Sequence, residues 1–343
     1  MIRIQNIYYM LAYAFQLLKE DGYSNIAAEK FENTADLLSA ILAKGISIQV
    51  KRGLNREYVE TKELLSGVRG KIDVTDSIKK QTFINQKLVC DYDEFSVNSY
   101  KNQIIKTTVG ILLRYDIPLN RKKELRNLMP YFRDVETLDP HGINWNIQYN
   151  RNNQTYQMLI SICYLVIKGL LQATSDGHLK LMSFFDEQRM CRLYEKFILE
   201  YFKKEYSQEI KTAASQIDWA LDDGISTMLP IMQSDIMLSY EDRTLIIDAK
   251  YYEHTMQLQY DIHTIHSNNL YQIFTYVKNK SIRGGTVSGM LLYAKTDEEI
   301  QPNQQFKMSG NIICVRTLDL DCDFSHIKEQ LDNIAEDFMS GKI

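Results

Sequence analysis

The sequence lacks the features that mark several classes of protein. Its five cysteines form no C-x-x-C pair and leave one over, which argues against a disulfide framework or a zinc site and for a reducing compartment. Its longest apolar run, residues 158–167, is too short to span a bilayer. The segment "GVRGK" (67–71) lacks the four-residue gap and the Ser or Thr of a Walker A loop. We therefore expect a cytoplasmic protein with no membrane span and no nucleotide site of its own.

An excess of charge of one sign is also missing. The 40 Lys and Arg residues nearly balance the 44 Asp and Glu residues, giving a net charge of −4 at pH 7. This balance does not indicate a nucleic-acid-binding protein, although a local basic groove can exist within a neutral average. Residues 101–126 hold seven Lys and Arg, which either contact DNA or form a solvated helical face. The acidic tail over 319–337 is expected to face away from DNA.

The hydrophobic pattern divides the chain into two regions. Residues 1–150 combine helices with short strands, and residues 151–343 interleave strands with helices. The Asn-rich segment 138–154 is the most linker-like stretch and predicts the domain boundary. We therefore predict an α/β protein with an α+β N-terminal domain and a C-terminal sheet flanked by helices.

The predicted elements follow from hydrophobic periodicity and turn residues. Apolar stripes with a helical period predict helices over 4–19, 27–44, 100–114, 121–131, 154–172, 188–206, 266–279 and 324–338. Alternating or apolar runs between turn residues predict strands over 180–185, 230–238, 244–251, 285–294 and 311–316. The stretch 46–100 changes character and predicts several short strands separated by glycine turns.

The segment "TLIIDAKYY" (244–252) places an acid and a base inside an apolar strand. Residues two apart share a face of a strand, so Ile246, Asp248 and Lys250 point the same way. Charged groups are rarely buried without a partner or a metal. This strand therefore carries either an ordinary ion pair at the edge of a sheet or a functional site.

The segment "LPIMQSDIMLSYEDR" (229–243) supplies a second acid. A strand over 231–238 followed by a four-residue hairpin loop, Tyr240 to Arg243, would set Asp235 opposite Asp248. Carboxylates so placed lie roughly 5 Å apart at Cβ and repel unless a cation lies between them. Mg²⁺ binds through one or two carboxylates, and Lys250 can stabilise charge on a phosphate. A register slip of one residue would remove this site.

The order Asp235, Asp248 and Lys250 spells D-x(12)-D-x-K, which resembles the pattern of the PD-(D/E)xK nuclease superfamily. Ser234 stands where that pattern usually has Pro. Two further features resemble parts of these nucleases. Glu195 lies in a helix before the hairpin, and Gln272-x-x-x-Tyr276 resembles the Q-x-x-x-Y motif of the RecB-like branch. The spacing of four puts Gln272 and Tyr276 on one helical face, where they can contact metal-bound water or the DNA backbone.

Each of these residues also has a purely structural explanation. Asp235 is then a surface acid near a turn, Glu195 a solvated helix residue, and Gln272 and Tyr276 ordinary helix surface and core. The joint order of the motifs favours a site over four separate coincidences. Three histidines near the site, His254, His263 and His266, show no established metal-binding spacing. Of these, His263 and His266 are interpreted as loop or DNA-proximal residues.

Taken from end to end, the chain resembles the McrC family of nuclease subunits from methylcytosine-dependent restriction systems. The segments that carry the resemblance are "IQNIYYMLAYAF", "LSGVRGKID", "NQIIKTTVGIL", "LYEKFILEY", "LPIMQSDI", "LIIDAKYY" and "HSNNLYQIFTY". The resemblance implies a C-terminal PD-(D/E)xK restriction-endonuclease-like mixed sheet flanked by helices. It also implies a nuclease triad of Asp235, Asp248 and Lys250. Mg²⁺, with Mn²⁺ as a substitute, would be held by Asp235, Asp248, the Ala249 backbone carbonyl and Glu195.

The same resemblance implies a division of labour between two proteins. The partner would be a McrB-like AAA+ GTPase hexamer that recognises modified cytosine and translocates double-stranded DNA. The N-terminal domain would dock on this ring and stimulate its GTPase, and the strands within 46–100 are the candidate docking element. A purely structural subdomain is the alternative for these strands.

The preferred interpretation is therefore a Mg²⁺-dependent endonuclease that cuts 5-methylcytosine-containing DNA together with its GTPase partner. Three alternatives stay open on the sequence alone. The chain could be an autonomous RecB-like repair nuclease, a non-catalytic subunit that docks on and activates a GTPase, or a structural protein.

Overall fold

A computed structural model of the protein describes residues 2–15, 23, 26, 29, 31–149, 154–175, 187–224, 226–252, 255–259, 262–282 and 284–343. Its contacts group the chain into two compact units. One unit consists of Met1–Phe31 together with Met182–Ile343, and the other of Glu32–Leu181. Within the described residues, every helix is too short or too polar to cross a bilayer.

This division differs from the boundary predicted at 138–154. The first helix, α1 (Ile4–Phe15), packs on the helix Glu187–Glu205 and therefore belongs to the C-terminal unit. Conversely, the helix Gln154–Ser175 packs on Thr34–Arg52 within the middle unit. Both assignments follow from apolar faces, such as Ile7, Met10, Leu11 and Ala14 of α1, that are buried where the helices meet.

The unit Glu32–Leu181 combines helices with a small sheet. Its elements are α2 (Thr34–Arg52), β1 (Glu57–Leu65), β2 (Lys71–Ile72), α3 (Val74–Lys79), β3 (Leu88–Ser96), α4 (Tyr100–Arg114), α5 (Leu119–Leu128) and α6 (Gln154–Ser175). The strands form an antiparallel sheet in the order β1-β3-β2. The prediction of short strands within 46–100 is therefore confirmed for these three strands, whereas the helix α3 between them was not predicted.

The beginning of that stretch was predicted wrongly, because residues 46–52 continue α2. The helix begins after Asn33, whose side chain accepts a hydrogen bond from the Asp36 backbone N–H and caps the first turn. Leu42, Ile46 and Gln49 are buried at helical spacing, so one continuous buried stripe runs past the predicted end at residue 44. This packing overrides the strand propensity of the two isoleucines in "ISIQV".

The other unit is built around a mixed six-stranded sheet. After α7 (Glu187–Glu205) come β4 (Lys211–Ala213), β5 (Gln216–Ile217), β6 (Met232–Gln233), β7 (Ile236–Tyr240), β8 (Arg243–Lys250), β9 (Gln257–Gln259), β10 (Ile262–Thr264), α8 (Ser267–Ser281), β11 (Thr286–Ala294), β12 (Gln304–Met308), β13 (Asn311–Leu318) and α9 (Phe324–Met339). The strand order is β12-β13-β11-β8-β7-β4, with β8, β11 and β13 parallel. Helices flank this sheet, as predicted. The strand predicted over 180–185 and residues 16–19 of the first predicted helix lie outside the described residues.

The hairpin of β7 and β8 has the predicted register, since Ser239 pairs with Thr244 and Ile236 with Ile247. Its turn is shorter than predicted, because Tyr240 pairs with Arg243 and leaves only two residues between the strands.

The strand predicted over 230–238 is also interrupted. Ser234 exchanges hydrogen bonds with Ser215, with its N–H 3.0 Å from the Ser215 carbonyl oxygen, and this contact ends the short β5–β6 sheet just before Asp235.

Helix α8 connects β8 to β11 and lies unusually close to the sheet at Gly289. A Cβ atom built on Gly289 would lie 2.7 Å from Val277 Cγ2 and 2.8 Å from Ile273 Cγ1. Both neighbours are fully buried core side chains, so neither can move freely. The absence of a side chain at this position therefore sets the distance between α8 and the sheet.

Substitution of Gly289 should test this close approach. Gly289→Ala is expected to lower the free energy of unfolding by roughly 1–3 kcal/mol, because the added methyl group overpacks the core. The midpoint of chemical denaturation of the full chain measures the loss. Gly110→Ala is the matched control, since a Cβ at this helical position has nothing within 4 Å. A midpoint for Gly289→Ala that is no lower than that of wild type would show that α8 is not held at this distance.

Candidate functional site

The candidate site lies where β7 begins and β8 ends. Asp235 directly precedes β7, and its Oδ2 accepts a hydrogen bond from the Ala249 backbone N–H at 3.0 Å. Asp248 lies in β8 and is only 1% exposed. The two carboxyl groups are within hydrogen-bonding reach of each other. Because the strand is interrupted at Ser234, Asp235 does not belong to the preceding β5–β6 sheet, and its side chain turns toward β8.

Lys250 forms an ion pair with the buried acid. Its Nζ lies 2.9 Å from Asp248 Oδ2, and the lysine side chain is 13% exposed. Apart from this charged contact with Lys250, Asp248 Oδ2 has no hydrogen-bond donor among the described residues. A buried carboxylate oxygen with unused acceptor capacity is unusual in a folded protein and marks a position suited to a further ligand.

The electrostatics of the three groups follow from burial and mutual charge. Burial raises the pKa of Asp248 to about 7, with Lys250 opposing the shift and Asp235 adding to it. Burial likewise raises the pKa of Asp235, against the effects of Lys250 and the Ala249 N–H. For Lys250 burial acts downward, but the neighbouring carboxyl groups hold its pKa above the ordinary value. The protein alone therefore favours a proton on the acid pair near neutral pH.

Glu195 approaches the same place from α7. Burial and the charge of Asp235 raise the pKa of Glu195. Among the residues that the structure describes, no three His, Cys, Asp or Glu side chains are arranged to hold one metal ion. Glu195 lies near Asp235 without forming such a cluster, and the predicted ligand set of Asp235, Asp248, the Ala249 carbonyl and Glu195 stays a prediction.

Cys191 is a neighbour of the site that sequence reasoning missed. Its thiol donates to Glu195 Oε1 across 3.1 Å, and its Sγ lies 4.0 Å from the Ala249 carbonyl oxygen. Burial, with Glu195 adding to it, raises the pKa of the Cys191 thiol to about 12. Its position four residues before Glu195 on the same helical face is the one signal that could have indicated this contact.

The predicted Gln272 and Tyr276 also reach the site. Lys250 Nζ lies 3.5 Å from Gln272 Oε1, and Gln272 Nε2 donates to the Tyr276 hydroxyl at 3.0 Å. The structure thus links the lysine to both residues of the Q-x-x-x-Y motif. His266 precedes α8 and His263 is an exposed residue of β10, whereas His254 lies outside the described residues.

The donor set suits a hard divalent cation. Carboxylate and carbonyl oxygens are the ligands that Mg²⁺ prefers, and one or two carboxylates suffice when a phosphate supplies further oxygens. Asp248 Oδ2 pairs with Lys250 and has no further donor among the described residues, so it keeps acceptor capacity for such an ion. A cation there would also offset the repulsion between the two buried acids.

Fold and site together define an α/β protein with a buried pair of carboxylates and a lysine at the end of a central strand. The family model of McrBC 5-methylcytosine restriction system components matches residues 4–294. The chain belongs to this family, and the predicted resemblance is confirmed.

Known proteins similar to the chain include a bacterial enzyme and two archaeal complexes. The Type IV methyl-directed restriction enzyme EcoKMcrBC of Escherichia coli strain K12 is 28% identical over 347 residues, covering 98% of both chains. A structure of Thermococcus gammatolerans McrB AAA+ hexamers with bound McrC aligns with a TM-score of 0.49 and 19% identity, covering 96% of this chain and 76% of that one. A second structure, the T. gammatolerans McrBC complex, aligns with a TM-score of 0.41 and 21% identity over 59% of this chain and 58% of that one.

The raised pKa of Asp248 predicts a specific pH dependence of stability. Because the pKa is about 7 in the folded protein and about 3.9 in an unfolded chain, the folded state binds the extra proton between these values. The free energy of unfolding should therefore fall as the pH rises from about 4 to about 7, by at most about 1.4 kcal/mol per pH unit from this group. Asp248→Asn removes this contribution, so its stability relative to wild type should rise across that range.

Chemical denaturation in buffers from about pH 4 to about pH 8 measures this difference. Asp242→Asn, an exposed acid in the turn of the same hairpin, is the matched control and should track wild type. A constant difference between Asp248→Asn and wild type would contradict the assignment of a shifted titration to Asp248.

Proposed function

We propose that this chain is the metal-dependent DNA endonuclease subunit of a restriction complex that acts on 5-methylcytosine-containing DNA. The observation that carries the proposal is the buried Asp248, whose Oδ2 pairs with Lys250 and has no further donor among the described residues, while a second acid, Asp235, lies beside it. The match to the McrBC family over residues 4–294 supports the choice of a restriction nuclease among the enzymes that use such a site.

Asp235, Asp248 and the Ala249 backbone carbonyl would hold the metal, which we propose to be Mg²⁺ with Mn²⁺ as a substitute. Glu195, which lies near Asp235, is the candidate for a further ligand. When bound, such an ion activates water as a nucleophile and offsets charge on the phosphate. Its charge would also favour the ionised forms of Asp235 and Asp248, so binding should release the proton that the pair holds near neutral pH.

Lys250 would stabilise the negative charge that develops on the scissile phosphate. Its ammonium group is held between Asp248 and Gln272, so it needs little reorganisation as the charge develops. Gln272 is in turn oriented by the Tyr276 hydroxyl. Tyr276 therefore acts through Gln272, and both act on the position of the lysine.

The proposed partner is an AAA+ GTPase ring. The E. coli relative is a methyl-directed restriction enzyme, and in the T. gammatolerans structure McrC is bound to McrB AAA+ hexamers. The unit Glu32–Leu181 supports docking on such a ring, because the stretch predicted to dock exposes large apolar side chains. The most exposed of these are Tyr58, Val68, Val74, Ile78, Phe83, Ile84 and Phe95. Tyr58 and Phe95 lie against each other with ring centroids 5.2 Å apart, and adjoining exposed apolar side chains of this kind are typical of protein interfaces.

A cleavage assay tests the nuclease proposal. Methylated and unmethylated plasmids are incubated with Mg²⁺ and GTP, together with the chain alone, the chain plus its cognate GTPase, or the same pair carrying Asp248→Ala. We expect cutting of methylated plasmid by the intact pair only. Chelation of the metal and Asp248→Ala should each abolish it, because Asp248 would be both a metal ligand and the partner of Lys250. Asp242→Ala in the same hairpin is the control that should keep activity.

The other outcomes identify the alternatives. Cutting by the chain alone would favour an autonomous repair nuclease. Stimulated GTP hydrolysis without any cutting would favour a non-catalytic activating subunit. Cutting that survives Asp248→Ala would contradict the proposed site.

Docking on the ring can be tested separately from cutting. Ile84 is 77% exposed, and Ile84→Asp would place a charge within the proposed interface. We expect GTPase stimulation and co-migration with the partner to fall roughly tenfold or more, because burying an unpaired charge is unfavourable by several kcal/mol. Ile282→Asp is the matched control, since Ile282 is 72% exposed but lies in the other unit. Equal stimulation by both variants would place the interface elsewhere.

A further inference from the structure

Helix α8 carries polar residues on the face that packs against the sheet. Asn269, Gln272 and Tyr276 follow one another at spacings of three and four, on the same stripe as the buried Ile273 and Val277. A helix that only packs on a sheet would have an apolar stripe there. Buried polar groups are unfavourable unless they are hydrogen-bonded, so each of these side chains calls for a partner.

Asn269 forms hydrogen bonds with two tyrosines from different segments of the chain. Its Nδ2 donates to the Tyr293 hydroxyl at 3.0 Å, in a fully buried contact with β11. Its Oδ1 accepts from the Tyr252 hydroxyl at 3.3 Å. Tyr252 follows Lys250 by two residues, and Tyr293 is paired with Lys250 in the parallel register of β8 and β11. Asn269 therefore bridges the two side chains that flank Lys250.

The hydrogen bonds of Asn269 restrict a movement of α8 along the sheet that the apolar contacts alone would permit. Gly289 sets how close α8 lies to the sheet, but apolar side chains allow a helix to slide along or rotate on its support. The two directional hydrogen bonds of Asn269 resist such movement. Gln272 lies one turn further along the same face and reaches Lys250 across 3.5 Å, a distance that a small slide of the helix would lengthen beyond contact.

We propose that Asn269 is a positioning residue for DNA cleavage: by bridging Tyr252 and Tyr293 it fixes α8 along the sheet and so holds Gln272 against Lys250. The inference rests on the proposed nuclease function. It assigns no contact with DNA or metal to Asn269, whose whole effect passes through Gln272.

Asn269→Ala should lower kcat for plasmid cleavage by the complex roughly tenfold to a hundredfold, because misplacement by about 1 Å is enough for such a loss. KM for DNA and stimulation of the GTPase should be unchanged. Asn268→Ala is the matched control, since Asn268 is the adjacent, exposed residue of the same helical turn. Tyr293→Phe removes only the hydroxyl that Asn269 uses and should reproduce the loss in part, with the exposed Tyr271→Phe as its control.

A double-mutant cycle separates positioning from general destabilisation. If Asn269 acts through Gln272, the double variant Asn269→Ala/Gln272→Ala should cut no more slowly than Gln272→Ala alone. If the loss of cleavage rate in the double variant equals the product of the two single losses, the inference is overturned. Unchanged cleavage by Asn269→Ala would overturn it as well. If thermal unfolding shows that Asn269→Ala does not fold, the same cycle is run with Tyr293→Phe and read in the same way.

The same experiments distinguish the failure of this inference from failure of the proposed function. Wild-type rates from Asp248→Ala would reject the nuclease site itself. Loss of cutting in Asp248→Ala together with independent effects of Asn269 and Gln272 would reject only the positioning role.

Discussion

The C-terminal unit depends on a carboxyl group that is buried in a central strand. Asp248 lies in β8, between β7 and β11, where a charged group loses almost all of its hydration. Removing a charge from water is unfavourable by several kcal/mol unless ion pairing and hydrogen bonds compensate. Here the compensation is incomplete, because a single lysine, Lys250, pairs with Asp248 Oδ2 while Asp235 adds a second acid. An additional positive charge next to Asp248 would therefore stabilise its ionised form.

The surrounding elements serve to hold that arrangement. The hairpin brings the two acids together, and α7 brings Glu195 and Cys191 to the end of β8. Helix α8 supplies Gln272, and the two parallel strands on either side of the crossover place Tyr293 next to Lys250. The two acids, the lysine and Gln272 are therefore carried by regular elements or by a residue directly adjoining one, which favours a site with little freedom to rearrange.

The parts of this site that the sequence could predict are those set by local spacing. Alternation along a strand and the pairing across a hairpin were enough to place Asp235 against Asp248, and helical spacing placed Gln272 with Tyr276. Residues 46–52 were predicted wrongly because tertiary burial of Ile46 and Gln49, not strand propensity, decides their conformation. Asn269 and Tyr293 could not be predicted to meet, since that contact requires the register of β11 on β8, which no local pattern encodes.

The two-residue turn of the hairpin has a consequence for how the family can vary. Between Asp235 and Asp248 lie twelve residues, all of them in paired strands or in the turn that joins them. Because side chains alternate between the faces of a strand, inserting or deleting one residue within β7 or β8 would carry one acid to the opposite face. An extra residue in the turn only lengthens the loop and leaves both acids in place. Natural variation in homologues should therefore consist of replacements within the two strands and of length differences in the turn between them.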